Sequence, residues 1–312
     1  MLEQFIDNLK VVSIQVIILY LIAGVGFIAD KTKIFRQNDA KRLVDLLFNI
    51  ILPIAVVNSF MSIERTPQRI KGLFISFALA ILTHIVGIII ASFSFKNKNV
   101  KLRGIYSYAI TFSNAAFLAL PLAQSVIGDE GMFYGSCYVA VFNMFAFTYG
   151  IYQISGKKAK INAKMLIFNP GTISVLIGVP LFLLQVKFPS FIIDAMSRIG
   201  ACNSPMAMVV FGTFLANCNF KNIFAKKEIY YVSFIKLLVI PLVMIALFKV
   251  FGVNGNMAVA LTIAASAPVA TNTAMYAAKY NNDTALSSEL VGQTSILSII
   301  TMPVIVAIAS LI

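Results

Sequence analysis

The sequence predicts an all-α polytopic membrane protein of ten transmembrane helices, arranged as two inverted five-helix repeats with broken helices 4 and 9 crossing. Three observations predict it: the composition, the distribution of positive charge, and two interrupted apolar segments at matching positions. Of the 312 residues, 59% are hydrophobic and 12% charged, and the mean hydropathy is +0.88, far from the composition of a soluble domain. Apolar runs of about 20 residues, each long enough to cross a hydrocarbon core of roughly 30 Å as a helix, recur along the chain.

Cutting at the polar breaks gives spans at 11–30, 40–61, 69–94, 102–126, 131–155, 167–186, 190–216, 228–250, 255–280 and 284–312. The first apolar run, after "MLEQFIDNLK", is too long for a signal-peptide core and has no small-residue cleavage site behind it, so it reads as a retained helix. Of the 25 Lys and Arg residues, 17 fall in or beside the connections 31–42, 96–103, 157–164, 219–227 and 279–283. Six fall on the other side: Lys10, Arg65, Arg69, Lys71, Lys187 and Lys249. Positive residues favour the cytoplasmic side, which puts both termini outside an inner membrane. One missed or invented helix would scramble that split. The net charge of +13 is therefore a topology signal, and no nucleic-acid partner is expected. Cys137, Cys202 and Cys218 are isolated in apolar sequence and read as small hydrophobes, not as a disulfide or metal set.

Five spans precede the basic "GKKAKINAK" connection at 156–164 and five follow, giving repeats 1–155 and 156–312. An odd number per half inserts the second half upside down, the inverted repeat of many secondary transporters. Span 2 carries Pro53 and span 7, its counterpart, Pro205. Span 4 contains "TFSNAAFLALPLAQSV", with Ser113, Asn114 and Pro121; span 9 contains "AASAPVATNTAMYAAKY", with Ser266, Pro268, Thr271 and Asn272. From Asn114 to Asp129 and from Pro268 to Asp283 the spacing is 15 residues in each case. A mid-helix proline costs about 3 kcal/mol, and in lipid an unwound backbone persists only where protein or a water-filled cavity satisfies it. Where a helix breaks, one half presents free N–H groups and the positive end of its dipole, which suits a carboxylate. If spans 4 and 9 cross at their breaks, two such ends converge near the midplane. The candidate substrate-binding residues are thus Asn114, Pro121, Pro268 and Asn272, with Ser113, Ser266, Asn58, Asn203 and Gln293 as polar neighbours.

Ionisable groups inside spans are expensive and mark either structure or function. His84, the single histidine, and Lys236 are the candidates for proton coupling. For His84 the plainer alternative is a packing residue, and Lys236, two turns from the start of span 8, is placed to snorkel towards the interface. Asp194 and Arg198, four apart in span 7, are spaced for an ion pair. Glu289 and Asp45 are expected to be solvated. No carboxylate lies within Thr111–Gln124 or Ala264–Ala278, which favours an anion over a bare cation. No cofactor is implied, and coupling to H+ or Na+ stays open.

The segments "FSNAAFLALPLAQSVIG", "YVAVFNMFAFTYG", "NPGTISVLIGVP" and "ASAPVATNTAMYAAKYNND", followed by "TSILSIITMP", resemble the auxin efflux carrier family in order and spacing. The resemblance covers essentially the whole chain. It implies a scaffold of helices 1, 2, 6 and 7, a transport domain of helices 3–5 and 8–10, and elevator-type alternating access around the 4/9 crossover. It implies an organic-anion substrate, a mono- or dicarboxylate such as malonate or malate for bacterial permeases. The family's crossover polar residue falls on Asn114, its crossover proline on Pro268, and the "NP" opening helix 6 on Asn169 and Pro170. A homodimer, if one forms, would use the scaffold helices.

The expected function is secondary transport of a small carboxylate, in a lipid bilayer and without enzymatic activity. Two rivals share the fold: a sodium-coupled organic-anion symporter of the bile-acid type, and a receptor that binds ligand without moving it. An intramembrane hydrolase would need a nucleophile–base pair or metal ligands, and one histidine with no HExxH argues against it.

Overall fold

The computed structural model describes residues 2–159, 168–218 and 222–312. Among the described residues, seven helices are long and apolar enough to cross a membrane: α1 (Leu2–Lys31), α2 (Gln37–Ser62), α3 (Pro67–Phe93), α5 (Ala115–Ile154), α7 (Ser190–Ala216), α8 (Lys227–Val250) and α11 (Thr284–Ala309). Between them lie the shorter α4 (Val100–Thr111), α6 (Pro170–Leu184), α9 (Gly255–Ser266) and α10 (Asn272–Lys279). Among the described residues the one β feature is an isolated antiparallel bridge between Ser113 and Val269. Residues 160–164 of the expected basic connection lie outside the described residues, as does Lys221.

The 40-residue α5 is two arms rather than one rod. Ile127 (φ −131°, ψ 19°) and Gly128 (φ 62°, ψ −143°) leave the helical region, and only glycine enters the second conformation without strain. The arms, 115–126 and 129–154, fold back on each other. A Cβ on Gly131 would lie 2.2 Å from the Ala123 carbonyl oxygen, and one on Gly135 2.7 Å from Leu120 Cδ1. The polar turn expected over 128–131 is thus made by Gly128 alone, with Asp129 and Glu130 already helical.

Prolines sit where the helix has been widened for them. The π-helical turns Leu47–Ile51, Ala115–Ala119 and Ile235–Val239 each end just before a helix whose second residue is proline: Pro53, Pro121 and Pro241. A π turn shifts the carbonyl that the pyrrolidine ring would otherwise strike and absorbs the missing donor. This corrects the reading of Pro121 as the helix-breaker of span 4. The break lies seven residues earlier, at Phe112–Asn114, and Pro121 opens a regular helical segment.

Close backbone approach joins the first and seventh helices. Gly26 of α1 and Gly212 of α7 face each other's chains, with added Cβ atoms 1.9 Å from the Val209 oxygen and 1.8 Å from the Ala23 oxygen. α2 packs on α6, where Gly178 lies under the Phe60 ring, while α3 and α9 pack on α5. α1 is also tied to α11, because the Tyr20 hydroxyl donates to the Ser295 carbonyl at 2.6 Å.

Three ion pairs brace the described residues. Arg69 at the start of α3 holds Glu130 on the second arm of α5 at 2.9 Å, and Asn256 of α9 donates to the same carboxylate at 2.7 Å. Lys98 holds Glu228 at 2.8 Å, and Lys226 holds Glu289 of α11 at 2.6 Å. Glu289 is therefore not solvated as expected: its side chain is 3% exposed and neutralised by Lys226. Asp194 and Arg198 are both exposed and form none of these pairs. The ion pair that their spacing predicts is therefore not made.

Candidate functional site

The two interruptions meet. α4 ends at Thr111, and Phe112 to Asn114 run extended or irregular before α5 begins at Ala115. α9 ends at Ser266, and 267–271 lead into α10. The segments lie antiparallel: the Asn114 N–H donates to the Pro268 carbonyl at 2.7 Å and the Ala270 N–H to the Phe112 carbonyl at 3.1 Å. The Val269 N–H, facing the other way, donates to Thr294 Oγ1 of α11 at 3.1 Å. The unwound backbone thus finds partners inside the protein, as the hydrocarbon setting demands. Pro268 suits its place because the pairing uses its carbonyl and asks for no N–H.

Thr294 is an unanticipated part of this knot, and its hydroxyl also donates to the Leu290 carbonyl at 2.7 Å. Thr294→Val should leave the buried Val269 amide unpaired, at a cost of about 1–3 kcal/mol. A lowered thermal midpoint with unchanged ligand selectivity is the expected result.

A cavity of about 250 Å³ opens beside the crossing. Three helix starts reach it: α5 through Asn114–Phe117, α10 through Ala270–Asn272, and α6 through Asn169–Gly171. Asn169 caps α6 by accepting from the Thr172 N–H at 2.9 Å, and accepts from Asn143 Nδ2 at 3.0 Å. Asn272 Oδ1 accepts from the Tyr108 hydroxyl at 3.1 Å, which commits the oxygen and leaves its amide group to face elsewhere. Asn114 is buried and its Nδ2 has no hydrogen-bond partner. The remaining wall is mostly apolar, with Val44, Phe48, Phe142, Phe147, Met275 and Tyr276. No charged side chain lines the cavity among the described residues.

Of the residues singled out by sequence, Ser113, Asn114, Thr271 and Asn272 share this cavity with Asn169 and Pro170 of the "NP" pair. Pro268 stands behind it as the backbone partner of Asn114. Pro121 is buried further along α5, and Ser266 Oγ bonds its own helix at the Ile263 carbonyl, 3.3 Å away. Asn203 lies beyond Phe117 in a small void shared with Phe48 and Ala116, its Nδ2 unpaired. Asn58 lines a separate hollow with Lys187 and Phe188. Gln293 braces α8 to α11 by accepting from the Ser233 hydroxyl at 2.7 Å.

His84 is fully buried. Its Nδ1–H donates to the Ala80 carbonyl at 2.8 Å, and its ring stacks on Phe145 at 5.2 Å with Tyr138 at 5.0 Å. Lys236 does not snorkel. It is 1% exposed, and its Nζ donates to Ser113 Oγ at 2.6 Å, because α3, α4, α9 and α11 close over this part of α8.

Asn143, Tyr108, Asn49 and Thr294 join the site or its support without having been anticipated. Asn143 stands in the quoted "YVAVFNMFAFTYG", where an amide in an otherwise apolar run was the available signal. A model of a family described as membrane transport protein matches residues 11–166 and 160–306. No curated protein matches the chain.

Proposed function

The chain belongs to the membrane transport protein family, that of the auxin efflux carriers, and from that premise we propose that it is a secondary carrier of a small organic anion, held where the α4–α5 and α9–α10 breaks meet. One observation carries the reading: a buried amide donor with no partner, Asn114 Nδ2, stands at a cavity where three helices begin. Helix starts favour negative charge, and the lining lacks the carboxylates that a bare cation would seek. The phenylalanines opposite favour a single carboxylate on an apolar body over a dicarboxylate.

The ten-span inverted repeat is supported by correspondences between the halves. α1 packs on α7 and α2 on α6, pairings that an inverted repeat would exchange for one another. Arg69–Glu130 joins the start of the third predicted span to that of the fifth, and Lys226–Glu289 joins the eighth to the tenth. With both termini outside the inner membrane, Asn49, Phe147 and Asn169 lie towards the basic, cytoplasmic connections, so the cavity faces inward. An elevator movement of α3–α5 and α8–α11 against α1, α2, α6 and α7 would carry the crossing to the other face.

A thermal-shift screen of acetate, butyrate, benzoate, malonate and malate tests the substrate class, and flux in sodium-free proteoliposomes separates a carrier from a receptor and from a sodium symporter. Asn114→Ala should weaken anion binding roughly tenfold to a hundredfold, the worth of one buried hydrogen bond to a charged group. Stabilisation equal to that of the unmodified protein would remove Asn114 from the site.

A further inference from the structure

Lys236 lies one hydroxyl behind the cavity. Its Nζ has Ser113 Oγ as its hydrogen-bond partner at 2.6 Å and takes part in none of the three ion pairs. An ammonium carries three donors and no acceptor, so a charged Lys236 would use one of three.

The carboxylates of the helices packed around it are turned elsewhere: Asp129 is exposed at the hinge of α5, Glu130 beside it is held by Arg69, and Glu228 of α8 by Lys98. α3 offers His84, with Arg69 and Lys71 at its far end; α4 offers Tyr106 and Tyr108, with Lys101 and Arg103 at its start. α5 contributes Tyr138, whose hydroxyl is 3.5 Å from Ser113 Oγ, and α9 has no titratable residue. Glu289 of α11 is already held by Lys226 at 2.6 Å. A buried charge without a partner is among the costliest arrangements in a membrane interior.

Ser113 connects this group to the site. Its oxygen accepts from Nζ, which leaves its own O–H to turn either to the Tyr138 hydroxyl, 3.5 Å away, or into the cavity beside the unpaired amide of Asn114. A carboxylate accepting from Ser113 and Asn114 would supply the missing negative charge one hydroxyl away from Nζ.

We infer that Lys236 takes up one proton for each carboxylate bound at the crossing, so that anion and proton are carried together as a neutral pair. This rests on the anion-carrier reading above. In the empty carrier Nζ is the free amine. The substrate enters as the carboxylic acid, its proton taken from bulk solution; Ser113 passes its hydroxyl proton to Nζ and receives the acid's proton in the same step. The products are an ammonium, an intact serine and a bound carboxylate, with only N–H and O–H bonds exchanged. The loaded site is neutral overall, which makes the coupling ion a proton rather than sodium.

Titration calorimetry of the purified full-length protein with butyrate, and in parallel malonate, in buffers of contrasting ionisation enthalpy counts the protons. The expected uptake is about one per butyrate, with Kd rising about tenfold per pH unit on the alkaline side and levelling off on the acid side. Replacing sodium by choline should change nothing. Lys236→Arg, whose guanidinium stays charged, should bind with no proton uptake and no pH slope.

Butyrate or malonate bound by the unmodified protein with no proton uptake would overturn the coupling and leave the anion reading standing. So would uptake of one proton persisting in folded Lys236→Gln. Failure of the whole carboxylate screen would remove both. The proton count on the unmodified protein decides the matter even if neither variant folds.

Discussion

Gly212→Leu should leave almost no monodisperse protein after detergent extraction, and Gly26→Leu should do the same. A Cβ on Gly212 would stand 1.8 Å from the Ala23 oxygen and 2.9 Å from the Phe27 nitrogen; one on Gly26 would stand 1.9 Å from the Val209 oxygen. These are backbone atoms and cannot rotate away as the end of a side chain does. The helices would have to part along their whole crossing. Lipid tails are as apolar as the side chains, so membrane helices associate through close packing rather than through the hydrophobic effect. Overpacking typically costs 1–3 kcal/mol, sometimes more, even where side chains can adjust. Loss of this crossing should exceed that and consume much of a total stability of roughly 5–15 kcal/mol. The control is two residues away: Gly24, on the same helix, has no atom within 4 Å of its added Cβ. Gly24→Ala should fold normally and gain up to about 1 kcal/mol of helix propensity. Size-exclusion profiles and thermal midpoints of the three variants check this, and a well-folded Gly212→Leu would mean that α1 and α7 do not touch as described.

That pair of glycines marks one limit of reading the sequence. Hydropathy located the spans because each is a local property of about 20 residues, and the breaks were legible because Asn114 and Pro268 stand where an uninterrupted helix has no use for them. Contact partners are not local. Nothing in "AGVGF" says that one glycine meets a carbonyl and the other meets nothing. Pro121 was misread for a related reason. Its effect on the helix depends on whether the preceding turn widens, and a π turn is decided by packing as much as by the residue. Gln293 and Thr294 differ by about 100° around their helix. That rotation sends Gln293 towards Ser233 and gives Thr294 to the broken strand of α9–α10. Lys236 and Glu289 were expected near water because of their distance from span ends. Lys236 is instead roofed over by four neighbouring helices, and Glu289 is neutralised by a lysine 63 positions away.

Asn114→Asp should abolish anion transport more completely than Asn114→Ala, although aspartate is the closer isostere. Removing the amide deletes one hydrogen bond. Replacing it with a carboxylate sets a second negative charge within about 4 Å of the bound one. At an effective dielectric constant near 20 that repulsion is about 4 kcal/mol, or roughly a thousandfold in affinity. The backbone demands at this position are unchanged, since Asn114 pairs with Pro268 through its N–H, at 2.7 Å, and the side-chain amide has no partner to lose. The variant should therefore fold, and Lys236, with Ser113 between it and the new charge, offers it a counter-ion across 2.6 Å plus one hydroxyl. That pairing stabilises the empty state and opposes substrate further, because the negative charge that Lys236 lacks is now permanent. Uptake of labelled butyrate into proteoliposomes, with the thermal midpoint measured on the same preparation, gives both sides of the comparison. A stable Asn114→Asp that still transports butyrate would place the anion elsewhere. One that loses butyrate but acquires stabilisation by a cation would show that the crossing selects charge through this position.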